Sequence, residues 1–180
     1  MDAGLVTRAQ HGDEEAFASL AVAIGDRLHA VAQRILRDVD LAEDATQQAL
    51  LSIWRDLPQL RDPEKFDAWS YRLLLRACYA EGRRTRHWTP TLRVLPSAGA
   101  ASDSSGVIVD RDQLERGFRR LSIDHRAVVV LHHYLDMPID EVAETLGIPP
   151  GTVRSRLHYA MQGLRAALEA DARPATEGVG

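Results

Sequence analysis

Three groups of side chains have types and spacings suited to chemistry, and in each case the chemistry is binding. The first lies in the run GTVRSRLHYAMQGLR, where Arg154, Ser155, His158, Gln162 and Arg165 fall on one side of a helical wheel. Between Pro150 and Arg165 there are three arginines and no acid. On a helix docked in the major groove, Arg, Ser and Gln reach base edges and flanking positives reach phosphates. The second group is Lys65, Arg72, Arg76 and Arg83, spaced to line one flank of a helix that also carries Phe66 and Trp69. Residues 72 to 86 hold five arginines against Glu81, a local charge of +4. A cationic track beside aromatic surface is how single-stranded DNA is held, while burial of Phe66 and Trp69 in a core is the plainer alternative. The third group is Asp44, Gln47, Gln48, Leu51 and Arg55, on or beside the outer surface of another helix. An outward leucine among polar residues suits a protein partner, and a solvated face is the alternative.

Enzymatic chemistry is not expected. No nucleophile, base and orienting group cluster, and no glycine loop is built to cradle a phosphate. His132 and His133 are adjacent, so their side chains leave a helix about 100° apart, with no partner at metal-ligand spacing. Cys78 is the single cysteine, which excludes an internal disulfide and fits a small core residue. Neither a metal nor a cofactor is therefore expected. The net charge of −4 argues against a free-standing, nonspecific DNA binder, since such binding rests on neutralising phosphates. No apolar run approaches membrane-spanning length and the N-terminus lacks the order of a signal peptide, so a cytoplasmic chain without membrane insertion is expected.

The elements that must position these groups are all helical. Residues 4 to 36 carry apolar positions at helical spacing for two or three helices, with Gly12-Asp13 and Gly25-Asp26 as breaks and Asp13 as a cap. A further helix is expected from about Leu41 to Leu57, with Ala42, Ala45, Ala49, Ile53, Leu50 and Trp54 able to face a core. After a loop, a long helix from about Pro63 to Arg84 carries the cationic track. Periodicity ends between His87 and Val109, where PSAGAASDSSG reads as a flexible linker. The second half opens with a helix from Asp110 to Leu121 and another from Ile123 to Leu135. Two helices then meet at the corner Ile148-Pro149-Pro150-Gly151, a helix-turn-helix. On its second helix Val153, Leu157, Ala160, Met161, Leu164 and Leu168 form one apolar stripe, read as core. The expected fold is all-α, with two small helical domains (1–87 and 110–170), a linker (88–109) and a polar tail (171–180).

These residues carry a family resemblance. LSIDHRAVVVLHHYLD followed by PIDEVAETLGIPPGTVRSRLHYAMQGLR resembles region 4 of bacterial sigma factors, a winged-helix-like four-helix unit, and GTVRSRLH is similar to a signature of the extracytoplasmic-function group. AEDATQQALLSIWRDL resembles region 2.2, and FDAWSYRLLLRACYAEGRRTR resembles regions 2.3 to 2.4. The resemblance covers about residues 5 to 168. It implies a transcription initiation factor that binds core RNA polymerase, through the clamp helices of the largest subunit and the flap, and directs it to promoter DNA. On that basis Asp44, Gln47, Gln48, Leu51 and Arg55 are the expected polymerase contacts. Lys65, Trp69, Arg72, Arg76, Arg83, Arg84 and Arg86 are expected at the minus-10 element, and Thr152, Arg154, Ser155, Arg156, His158, Tyr159 and Gln162 at the minus-35 element. An anti-sigma partner is expected by resemblance alone. Two positions depart from the family: Arg76 stands where Asn is usual, at a position associated with a flipped base, and Ala80 where Asp is usual. The rival reading is a stand-alone helix-turn-helix regulator with an N-terminal sensing or dimerisation domain, which would need symmetric half-sites.

Overall fold

The computed structural model describes residues 1–88 and 107–171, and the regular elements among them are helical. The first module holds α1 (Ala3–Gln10), α2 (Glu14–Leu36), α3 (Val39–Asp56) and α4 (Phe66–Trp88), with short 3-10 turns at Leu57–Gln59 and Pro63–Lys65. Aspartates stop the backbone donors of the first three helices from being orphaned: Asp2 accepts from the Gly4 amide, Asp13 from Ala16 and Asp38 from Leu41, at 2.8 to 3.0 Å. Leu20, Ile24, Leu28, Val31 and Ile35 of α2 are buried against Ala42, Ala45, Ala49 and Ile53 of α3 and Phe66, Leu74 and Cys78 of α4. The run of alanines on α3 keeps that helix close to its neighbours.

Gly12 does break the chain, at φ 88°, but Gly25 does not. α2 runs unbroken from Glu14 to Leu36, correcting the expected stop at Gly25-Asp26. Ile24 and Leu28 flank Gly25 on the buried face, and burying two such side chains, worth about 1.5–3 kcal/mol each, outweighs the ~1 kcal/mol cost of a helical glycine. α2 ends at Arg37, whose φ of 60° is the left-handed conformation that turns the chain into α3.

The second module holds α5 (Val107–Arg120), α6 (Ile123–Val129), α7 (Ile139–Leu146) and α8 (Pro150–Asp171). Ser122 caps α6 by accepting from the His125 amide. From Val130 to Tyr134 the helix widens to a π winding, closed by the Leu135 amide on the Val130 carbonyl at 3.1 Å. α7 stops at Gly147 (φ 66°), and Ile148 donates back to the Ala143 carbonyl. Pro149 then offers its carbonyl to Thr152 and Val153, and Pro150 occupies the first turn of α8, where its missing donor costs nothing. Val153, Leu157, Ala160 and Leu164 of α8 are buried, whereas Met161 is 45% exposed. That corrects its assignment to the core: Met161 sits about 70° from the centre of the apolar stripe, at the rim.

α4 runs on to Trp88 and α5 starts at Val107, so helix takes up both margins of the expected 88–109 linker. Residues 89–106 and the tail 172–180 lie outside the described residues. The two modules pack together. α7 and α6 lie on α4, and α6 also meets α2, so that buried residues from Val6 to Leu164 form one continuous cluster. Across this seam Tyr79 donates to Asp124 at 3.1 Å, Arg126 donates to the Leu36 carbonyl at 3.3 Å, and Arg37 pairs with Glu115.

Candidate nucleic-acid interface

The corner before α8 sets which side chains leave its first turns outward. Arg154, Ser155, His158, Tyr159 and Gln162 are exposed, with Tyr159 at 60%, and Thr152 is half-buried. The outward face holds no acid. The Ser155 hydroxyl donates to the Thr152 carbonyl at 3.0 Å, and the rings of His158 and Tyr159 meet edge to face, 5.6 Å apart. Arg156 stands apart from this set: on the far rim of the apolar stripe, it is half-buried and 3.2 Å from Asp124 of α6.

α4 offers the second basic surface. Lys65, Arg76, Arg83 and Arg84 are exposed and Arg72 is half-buried. Arg86 falls in the final turn of α4, and its side chain lies outside the described residues. Phe66 is fully buried, while Trp69 is only partly so, its ring 6.0 Å from that of Phe66. Phe66 is thus a core residue, while Trp69 keeps part of its ring at the surface. A groove of about 570 Å³ opens beside Trp69, lined by three cations, Arg61, Lys65 and Arg72, and by five acids, of which Glu141 and Glu144 come from α7. Cys78, on the opposite side of α4, is buried, and burial pushes its thiol up to about 12, leaving it inert. Tyr79 is likewise raised, chiefly by burial and then by the charge of Asp124.

The third surface is α3. Asp44, Gln47, Gln48, Leu51 and Arg55 are all exposed, Leu51 at 62%. Trp54, assigned from the sequence to the flank of the core, is 47% exposed and rests edge-on against Phe17 with ring centroids 4.4 Å apart. It therefore extends the apolar surface of Leu51, about 60° round the helix. Arg55 grips Asp56 through two hydrogen bonds of 2.8 and 3.0 Å, which hold the Asp56 carboxyl below its ordinary range and raise Arg55. Arg84 of α4 reaches Asp44 at 3.3 Å, so the acidic end of the α3 face adjoins the basic end of α4. Sequence reasoning missed Tyr79 and Asp124, which meet across the seam, and Glu144, which pairs there with Arg72. Among the described residues no three His, Cys, Asp or Glu converge as a metal site would require. No helix among them is long and apolar enough to cross a membrane.

Both helical modules match known proteins. Residues 20–88 match the family model for sigma-70 region 2 and residues 111–164 that for sigma-70 region 4. The chain is 30% identical over 167 residues to the ECF RNA polymerase sigma factor SigL of Mycobacterium tuberculosis, covering 88% of this chain and 94% of that one. It is 32% identical over 166 residues to the RNA polymerase sigma-E factor of Streptomyces avermitilis, covering 88% of each. Among solved structures, CnrH in complex with the cytosolic domain of CnrY superposes with a TM-score of 0.70 at 24% identity, over 95% of this chain and 99% of that one. RpoE of Bartonella quintana, in complex with the anti-sigma factor NepR, gives 0.69 at 23% identity, over 86% and 98%. With both regions matched in order and relatives covered nearly end to end, the chain belongs to the sigma-70 family, as an extracytoplasmic-function RNA polymerase sigma factor, and is a transcription initiation factor.

Proposed function

We propose that the α3 face formed by Asp44, Gln47, Gln48, Leu51 and Arg55, with Trp54 at its edge, docks on the clamp helices of core RNA polymerase, and that the second module meets the flap. The minus-35 element is read by Arg154, Ser155, His158 and Gln162, with Thr152, Arg156 and Tyr159 flanking. The minus-10 element is opened on α4 by Trp69 and the cations Lys65, Arg72, Arg76, Arg83, Arg84 and Arg86. The chain itself performs no catalysis and needs no cofactor; it acts in the cytoplasm, where an anti-sigma protein holds it inactive. The observation that most supports this is the acid-free outer face at the start of α8, directly behind the two-proline corner. Arg76, in place of the usual Asn, holds a backbone phosphate rather than a base.

Run-off transcription with core polymerase on a promoter library, with and without the chain, is the test. Transcripts should appear only with the chain. Arg154→Ala should cost about 1–3 kcal/mol at one upstream base pair, whereas equal weakening on all promoters would demote Arg154 to a phosphate contact. Arg76→Ala should slow open-complex formation. Tight duplex binding without polymerase, and no run-off, would favour the stand-alone regulator.

A further inference from the structure

α2 ends in an arginine where glycine would be the easier residue. Arg37 holds the left-handed conformation at φ 60°, so its side chain is kept there at a conformational cost. It lines a cleft in two halves, on a side of the molecule away from α4. The apolar half, about 430 Å³, is walled by Leu114 and Phe118 of α5, Val129 of α6 and Tyr134 of the π winding. The basic half, about 360 Å³, is walled by Arg119, Val39 and Gln33. Arg34, Arg37 and Glu115 border both. The charges there do not balance. Three guanidiniums face two carboxylates, and both carboxylates are engaged: Asp38 accepts from the Leu41 amide at 3.0 Å, while Glu115 is shared between Arg37 and Arg119, the latter at 3.2 Å. Arg34 pairs with no carboxylate among the described residues. It donates to the Ala30 carbonyl at 2.9 Å and lies over the Tyr134 ring, 3.8 Å from its centroid. Burial holds the Arg37 guanidinium below its ordinary value, and the like charges of Arg119 and Arg34 push the same way. Its Nε is buried without a hydrogen-bond partner.

We propose that this cleft binds a small aryl phosphate: the ring enters between Leu114, Phe118, Val129 and Tyr134, and the phosphate oxygens accept from Arg34, Arg37 and Arg119. The phosphate offsets the surplus positive charge, and its oxygens supply the acceptor that Arg37 Nε lacks. Each half is of small-molecule size, and an apolar wall with a few charged groups at one end is the usual form of such a site. Arg34 and Arg37 come from the first module, and α5 with the π winding from the second. None of these residues is among those assigned to DNA or to the clamp helices, so the site stands apart from the proposed function.

Isothermal titration of the full chain with naphthyl phosphate, naphthol and inorganic phosphate tests this. Naphthyl phosphate should bind saturably, one per chain. Naphthol and inorganic phosphate, each filling one half of the cleft, should bind at least about tenfold more weakly. Arg34→Gln should weaken naphthyl phosphate about tenfold, and Arg119→Gln, at the more exposed rim, about threefold. Arg120→Gln, which removes the same charge from α5 outside the cleft, should bind as the native chain does. Thermal melts of the unliganded chains check folding, and if Arg34→Gln melts early, Arg119→Gln carries the comparison. No saturable binding by the native chain, equal binding of naphthol or of inorganic phosphate, or native affinity in the folded cleft variants overturns the site.

Discussion

Leu51→Ala, set beside Ile53→Ala, separates a docking surface from a core on one helix. The two positions are two residues apart on α3, about 200° round its axis, and Leu51 is 62% exposed while Ile53 is fully buried. Complete burial of a leucine is worth about 1.5–3 kcal/mol, so covering the exposed three-fifths of Leu51 is worth about 1–2 kcal/mol. Truncation to alanine should weaken binding to core polymerase about 5- to 30-fold. It should leave the free chain's stability within about 0.5 kcal/mol, because little packing is lost. Ile53→Ala should instead cost about 2–5 kcal/mol of folding free energy through the cavity it leaves. For a chain of this size that is a drop in Tm of about 5–20 °C. Fluorescence titration against core polymerase and a thermal melt of each free variant read the two effects. A Leu51→Ala chain binding within twofold of native, with an unchanged melt, would refute the docking role of this face. A melt lowered as far as that of Ile53→Ala would refute the outward placement itself.

Other consequences are simpler to read. Cys78, its thiol pushed up to about 12, should resist a thiol reagent at pH 8 in the folded chain and react fully once denatured. Gly25→Ala and Gly147→Ala should move Tm in opposite directions, since a Cβ meets open space at both sites and only the backbone decides. The first, inside α2, gains about 0.5–1 kcal/mol, and the second, at φ 66°, loses about 1–2 kcal/mol. The Asp13 carboxyl lies below its ordinary 3.8 because the Ala16 amide and then Arg8 hydrogen-bond its charged form. Its stabilising effect is therefore present above that value and is lost as pH falls through the lower folded value. The Tm deficit of Asp13→Ala should accordingly shrink in acid, as parallel melts at neutral and acidic pH would show.

The helices were legible because each buries one stripe at the 3.6-residue period, and because Asp13 and the Gly147 and Pro149-Pro150 corner are local signals. Gly25 misled because its cost is local while the compensation comes from Ile24 and Leu28 packing on other helices. Met161 and Trp54 misled for the converse reason: periodicity locates the middle of a stripe well but not its rims, where a neighbouring helix decides exposure. The seam was illegible from spacing alone. Tyr79 and Asp124 are 45 residues apart in sequence, and nothing in either neighbourhood names the other. Asp124 reads as a first-turn acid of α6 and Glu144 as a solvated charge on α7; only the packing of the modules brings them to α4.

The π winding at residues 130–134 works as a phase shifter. One surplus residue in that turn decides the bearing on which the chain departs α6, and so where the two-proline corner and everything after it point. Tyr134, the last residue of the stretch, lies with its ring 3.8 Å from the Arg34 guanidinium carbon of the other module. Excising a single position would restore regular winding and swing the downstream helices by about 100°. The length of the chain between Val130 and Leu135, as well as its chemistry, thus fixes where the helix-turn-helix points.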